Sequence, residues 1–341
     1  MKDTSTTANA SVGSVNKVFH KEGDSEQSQP SANDVTEQMN YTPHILTNAL
    51  TQKKDLKIAV LYSERDYPHK QYSKYKEGIE RAARHINQFG IEICIHTYHP
   101  DQQLDKWMEV LSYKPDAIAY AACGHLKEGS VVLEKLIQLQ TPLYYIGVEQ
   151  DALASYSVAR YYPDYFSGGY IAAKLLHYGL INDATILIIN DKTHNENTQA
   201  LHENNTVNGF KNFFKENNLT QIRLVQVHID NQDERELRRV LTETFMHYTF
   251  IRGIFVAANC VHAVGAFLRE KKLSSVRAIG IVQHEEDRTC LKEGLFDFLL
   301  DFNLEKIGYQ CLINILEHCL FKTAIDCSDV IKVNILTREN C

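Results

Sequence analysis

A chain of 341 residues with 44% hydrophobic residues has enough apolar surface to bury the cores of two or three compact units. Its formal net charge of −7 excludes a broadly basic nucleic-acid surface, so any DNA contact has to be local. Neither a run of about 18 apolar residues for a membrane span nor a basic start leading into an apolar export signal is present, and a cytoplasmic protein is expected.

Residues 1–54 are poor in large apolar residues and rich in Ser, Thr, Asn and Gln. Ser11 is placed to cap a helix from Val12 to Phe19. That helix would turn Val15, Val18 and Phe19 inward and Val12, Gly13, Asn16 and Lys17 outward. Pro43 suits the first turn of a short helix through Leu50. Leu56–Tyr62 (LKIAVLY) then reads as a buried strand. Further strands are predicted at Glu92–Thr97, Ala117–Ala121, Leu143–Val148, Thr185–Asn190, Arg223–His228, Gly253–Ala257, Val276–Ile281 and Phe296–Leu300. Helices with apolar residues at three- and four-residue spacing are predicted at Tyr72–Gln88, Leu104–Ser112, Ser130–Leu139, Ser167–Leu175, Val207–Glu216, Glu234–His247, Val261–Lys271 and Glu305–Leu320. Such alternation implies mostly parallel sheets with helices on both faces. There are too many strands for one comfortable sheet. The predicted class is therefore α/β: two doubly wound parallel-sheet subdomains, with a small all-α unit before them. A ligand cleft is expected outside the carboxyl ends of the strands. The chain should pass between subdomains near residues 162–166, 300–303 and 326–330.

The eight cysteines show no CxxC pair and no disulfide-framework spacing, which suits reduced thiols. The fifteen histidines are scattered without an HExxH pattern, so neither a metal nor a cofactor is expected. There is no GxGxxG after a strand, no Walker loop and no GxSxG elbow, and Gly124-His125 reads as a turn. A non-enzymatic protein is expected.

The segment Ala8–Lys21 (ANASVGSVNKVFHK), the run Asn40-Tyr41-Thr42-Pro43-His44 leading to Ile45–Leu50, and the long α/β region follow a familiar order. So does the ending Asn334–Cys341, with its Arg338-Glu339 pair. This order resembles the lactose/galactose-repressor (LacI/GalR) family of bacterial regulators. The resemblance implies a helix-turn-helix headpiece with a hinge helix over 1–54 and a periplasmic-binding-protein-like effector core over 55–341. The N-subdomain would comprise about 55–164 and 302–328, and the C-subdomain about 165–301 and 329–341. It further implies a homodimeric, DNA-binding transcriptional regulator on a two-fold operator, controlled by a small, sugar-related effector.

Residue roles follow from the same resemblance. Val12, Gly13 and Lys17 would reach base edges, with Lys17 standing where the family usually has arginine. Ser11, Ser14 and Asn16 would contact phosphates, and His44 belongs to the same DNA-facing set. Leu50 would wedge into the minor groove; an ordinary linker residue is its other reading. Tyr72 would cover the apolar face of a sugar ring, or simply pack. Asp164 and Asn259 would accept from sugar hydroxyls, or cap the helices that follow them. Thr206, Val282 and Phe302 occupy positions where the family has arginine, aspartate and glutamine. Losing those groups favours a less polar or differently substituted effector over a plain monosaccharide. The headpiece also departs from the pattern. Thr4, Thr7, Ala10, Ala32, Asn33 and Thr36 stand at apolar positions, and Pro30 falls within the third helix. A small-molecule binding protein with a vestigial headpiece is the competing expectation.

Overall fold

The computed structural model describes residues 56–341 apart from 65–70, 88–90, 123–125, 148–150, 181–182, 193–197, 231–232 and 323–327. The expected headpiece and hinge, with Ser11, Val12, Gly13, Ser14, Asn16, Lys17, His44 and Leu50, lie outside the described residues, as does the Gly124-His125 turn.

Two six-stranded sheets organise the described chain, each at the heart of one lobe. The first holds β1 (Lys57–Ser63), β2 (Glu92–Tyr98), β3 (Ala117–Ala121), β4 (Leu143–Ile146), β5 (Ala159–Pro163) and β11 (Ser328–Ile331). Their order is β11-β5-β4-β3-β1-β2, all parallel. The second holds β6 (Thr185–Asp191), β7 (Arg223–Ile229), β8 (Ile251–Val256), β9 (Arg277–Ile281), β10 (Phe298–Asp301) and β12 (Asn334–Leu336). Their order is β12-β10-β9-β8-β6-β7, and the β12–β10 pair is antiparallel. This is the two-subdomain α/β class expected from the alternating sequence.

The continuous apolar runs become central strands because both faces need cover. On β1, Ile58, Val60 and Tyr62 pack towards α1 (Gln71–Asn87) and α10 (Leu304–Phe321). Ala59 and Leu61 pack the other way, with Trp107 and Val110 of α2 (Gln103–Ser112) and Val132 and Leu136 of α3 (Gly129–Leu139). In the second lobe, Ile186 and Ile188 face α5 (Tyr165–Tyr178) and α6 (Thr198–Glu216). Leu187 and Ile189 face α7 (Glu234–His247) and α8 (Val261–Glu270).

One helix pair in each lobe is packed backbone to backbone. A Cβ on Gly78 of α1 would fall inside the Glu305 carbonyl oxygen, and one on Gly308 of α10 would collide with Tyr75 O. The second lobe repeats the device: Gly169 of α5 abuts Thr206 O, and Gly209 of α6 abuts Phe166 O. Glycine lets the axes approach until Cα–H groups touch carbonyl oxygens. Arg81 adds to the first pair through Glu305 and lies 4.9 Å from the Tyr309 ring centre.

The chain passes between lobes at 163–165, at 301–304, and at 332–333. The third passage falls after the expected 326–330, because Ser328–Ile331 pairs along β5 and joins the first sheet. The C-subdomain piece expected from residue 329 therefore begins too early. Backbone groups at a sheet edge are satisfied by pairing, and polar sequence conceals that strand. The passages are tied together. Asp164 N donates to Ile331 O at 3.3 Å. Asn303, at φ +53°, donates through Nδ2 to Lys332 O at 3.1 Å and accepts from Asn334 Nδ2 at 2.8 Å.

The first lobe carries a pH-dependent contact. Tyr144 OH and His318 Nδ1 on α10 share a hydrogen bond. Burial, with the Lys322 charge, holds His318 below its ordinary value of 6.5. A depressed histidine contributes stability that is complete above 6.5 and is lost as pH falls through the lower folded value. Denaturant midpoints measured from about pH 7 to about pH 5 should fall less steeply for His318→Gln than for the parent. Parallel slopes would remove this residue from the account.

Candidate functional site

Ligands of parallel α/β sheets bind outside the carboxyl ends of the strands, at the point where the chain switches direction. Here β5 and β10 leave their sheets at those ends and become the interlobe passages. The crevice is therefore framed by three sets of residues: the passages, the start of α1, and the carboxyl ends of β6, β8 and β9.

Of the six residues expected at an effector site, three gather around the first turns of α5. Asp164 is its N-cap, with Oδ1 accepting from Ser167 N at 2.9 Å. Phe302, in the second passage, packs with its ring centre 4.7 Å from that of Tyr165 at a 57° tilt, and lies over Gly168, where a Cβ would come within 2.6 Å of its ring. Thr206 is buried on α6 with its carbonyl against Gly169. Asn259 and Val282 follow the neighbouring strands β8 and β9. Asn259 is half-buried, and the N-cap of α8 is Cys260 rather than Asn259. Val282 is buried in the second lobe's core and donates its N–H to Leu300 O at 3.0 Å. Tyr72 lies in the first turn of α1, and its side chain is outside the described residues. Phe302 and Val282 thus bring apolar bulk to positions flanked by backbone polar groups.

A cavity of about 490 Å³ opens between the lobes. Lys74, Glu77 and Arg81 of α1 face it from one side, and Gln283 and His284 face it from the other. Asp301 and Asn303 of the second passage close it. Its charges are partly matched: Arg81 pairs with Glu305 at 2.5 Å, and Arg288 pairs with Asp301 and Glu285 at 3.2 Å each.

Sequence reasoning missed the group that builds the second lobe's rim. Asp287, in α9 (Glu285–Lys292), is 2% exposed. Its carboxylate accepts from Gln283 N at 2.8 Å, His284 N at 2.9 Å and His262 N at 3.2 Å. One side chain thereby fixes the end of β9, the start of α9 and the start of α8. The available signal was an acid in the first turn of a short polar helix, too common a pattern to single out. Glu203 of α6 similarly accepts from Asp191 N at 3.0 Å, where β6 ends. The buried Cys260 thiol lies near these acids. Burial, then Glu203, Asp191 and Asp287, holds its pKa far above the ordinary thiol value, which keeps it protonated and unreactive. Among the described residues no group of three or more His, Cys, Asp or Glu converges as metal ligands. No described helix is long and apolar enough to cross a membrane.

The family pattern described as a periplasmic binding protein domain matches residues 58–322. The chain is 27% identical over 216 residues to the HTH-type transcriptional regulator DegA of Bacillus subtilis (strain 168). That alignment covers 63% of this chain and 60% of DegA. The fold is similar to that of a putative LacI transcriptional regulator from Bacteroides fragilis, at TM-score 0.67 and 21% identity over 84% of this chain and 98% of that one. It is also similar to a solute binding protein of an ABC transporter from Agrobacterium vitis, bound with α-D-tagatopyranose. There the TM-score is 0.63 and identity 19%, over 84% of this chain and 95% of that one. At these identities the two structures speak to fold alone.

Proposed function

Because the chain belongs to the periplasmic binding protein domain family, we propose that it binds a small, sugar-related molecule between its lobes and uses that binding to control its affinity for DNA. The observation that carries the reading is the interlobe cavity, lined from α1, from the β9–α9 connection and from the second passage. Its volume of about 490 Å³ lies within the range of ligand pockets. A ligand held by both lobes favours their closed arrangement by as much as it binds that arrangement better. The rotation is available to whatever precedes Lys57, since β1 follows residues 1–55 directly.

Asp164, Asn259 and Tyr72 are the proposed polar and aromatic ligand contacts. Thr206, Val282 and Phe302 are buried beside the crevice and do not line the cavity; by the resemblance they replace the charged and amide groups that grip a polyol, so the proposed effector is a substituted or less polar sugar derivative. Ser11, Val12, Gly13, Ser14, Asn16, Lys17, His44 and Leu50 are the proposed DNA contacts. The protein acts as a homodimer, because a two-fold operator needs two headpieces. Similarity to DegA supports the regulatory part. One observation favours the second reading, a binding protein without DNA function: residues 1–54 carry five Lys and no Arg against six Asp or Glu.

One experiment separates the two. The full chain is incubated with genomic DNA fragments at about 50 mM and at about 200 mM salt, with and without candidate sugars. Retention of specific fragments at low salt, weakened steeply at high salt and altered by a sugar derivative, is the expected result. No retained fragment at either salt leaves only the binding-protein reading. Micromolar binding of an unmodified hexose or pentose would overturn the assignment of effector class.

A further inference from the structure

Any rotation of one lobe against the other has to be absorbed in the three passages, so whatever holds them decides how freely the lobes move. The first and third passages are joined as a ladder: Asp164 N donates to Ile331 O at 3.3 Å and continues the β5–β11 pairing. The second and third are joined on the second lobe's side by the β10–β12 pairing, which ends at Asp301 and Asn334. Between these two ladders lie residues 332 and 333. Among the described residues, one side chain spans that gap. Asn303 Nδ2 donates to Lys332 O at 3.1 Å, where the chain leaves the first sheet. Asn303 Oδ1 accepts from Asn334 Nδ2 at 2.8 Å, where the chain enters the second.

Asn303 is itself seated by its neighbours. Its φ of +53° is a left-handed conformation that asparagine tolerates better than most residues. Its N–H donates to Asp301 Oδ1 at 3.0 Å, and its carbonyl accepts from Ile307 N at 3.1 Å in the first turn of α10. The other carboxylate oxygen of Asp301 accepts from Arg288 of α9 at 3.2 Å. Arg288, Asp301 and Asn303 all line the interlobe cavity. A continuous chain of contacts therefore runs from the cavity wall, through Asp301, to the carboxamide that bridges the third passage. Bending at 332–333 moves Lys332 and Asn334 relative to each other. A carboxamide bonded to both cannot follow a large change, so one bond has to break before the lobes rotate far.

We infer that Asn303 is a clamp on the hinge: its carboxamide fixes the bend of the third passage, and the Arg288–Asp301 pair at the cavity wall keeps it seated. The clamp does not depend on a ligand. Its consequence rests on the reading that a molecule binds between the lobes. A molecule that bonds Arg288 or Asp301 competes with the contact that seats Asn303, and so acts on the second and third passages through one side chain.

The test uses the full chain without ligand or DNA, so its outcome is separate from the binding reading. Tyr113 of the first lobe and Phe250 of the second, 59% and 68% exposed, are replaced by p-acetylphenylalanine to carry spin labels, which leaves the cysteines untouched. Double electron–electron resonance then reads the distribution of distances between the lobes. Asn303→Asp keeps a residue suited to the left-handed backbone but loses the donor to Lys332 O. Asn334→Ala leaves residue 303 intact and removes the other bond. Each variant should widen the distribution about twofold and speed amide exchange across residues 328–336 about tenfold. Exchange in β6, which lies away from the passages, should stay at the parent rate. Asp301→Asn keeps an acceptor for Asn303 N but discharges the pair with Arg288, and should widen the distribution by a smaller factor. Parent width in both Asn303→Asp and Asn334→Ala would overturn the clamp. Widening accompanied by faster exchange in β6 would also overturn it, by assigning the change to general loosening of the second lobe. Parent width in Asp301→Asn would overturn the link between the clamp and the cavity wall.

Discussion

Gly169→Val is expected to destabilise the protein by about 3 kcal/mol or more, or to prevent folding altogether. The added carbon would overlap the Thr206 carbonyl oxygen, which belongs to the backbone of α6. No rotamer change relieves a backbone clash. The helices would have to separate, and Phe210, Phe213 and Phe214 of α6 would lose packing against α5 and the second sheet. Gly129→Ala is the matched control: it starts α3 with nothing within 4 Å of the new methyl. That change should stay within about 0.5 kcal/mol of the parent. Chemical denaturation of the two variants decides the matter, and equal midpoints would sink the close-packing argument.

Asp287→Ala should cost about 3 kcal/mol and weaken any interlobe ligand. The carboxylate accepts three backbone N–H groups in a nearly dry site, from Gln283, His284 and His262. Each donor left without a partner costs on the order of 1 kcal/mol or more. Gln283 and His284 also line the interlobe cavity, so their loosening reaches the ligand directly. Asp287→Asn keeps one acceptor oxygen and should lose less. Hydrogen exchange at the amides of residues 262, 283 and 284 is the direct measurement. Unchanged protection in the alanine variant would show that the carboxylate is dispensable.

The central strands were legible because burial on both faces forces continuous apolar runs. LKIAVLY and TILII could hardly be anything else, and β1 and β6 stand where they were expected. Elements stabilised by something other than an apolar stripe were hidden. In β5, Ala159–Pro163 mixes buried Tyr161 with half-buried Arg160 and Tyr162. The helix α4 (Ala152–Tyr156) is five residues held by an Asp151 cap. The helix α9 is almost wholly polar, and its order comes from Asp287. The helix expected from Val207 begins instead at Thr198, through a stretch with few apolar residues. The site was legible only in part for a related reason. Asp164 carries two readings in sequence, and its capping bond is compatible with both. Phe302 looked like a lost polar contact, while its ring also packs on Tyr165 and Gly168.

The pairing of α1 with α10 also constrains how the chain can fold as it leaves the ribosome. The second lobe is nearly continuous, from α5 to β10, and lacks only β12 when residue 301 emerges. The first lobe is split. Its strands β1 to β5 are complete by Pro163, but the helix that covers β3, β4 and β5 on one face begins at Leu304. Tyr144, Ile146, Ala159 and Tyr161 must therefore wait for partners such as Leu312 and Ile315 through the synthesis of an entire lobe. At ~5–20 residues per second that interval is on the order of ten to thirty seconds. A nascent chain in this window carries an open apolar sheet face, the kind of surface that holding chaperones bind. The half-made protein, rather than the finished one, is where this architecture is most exposed to aggregation.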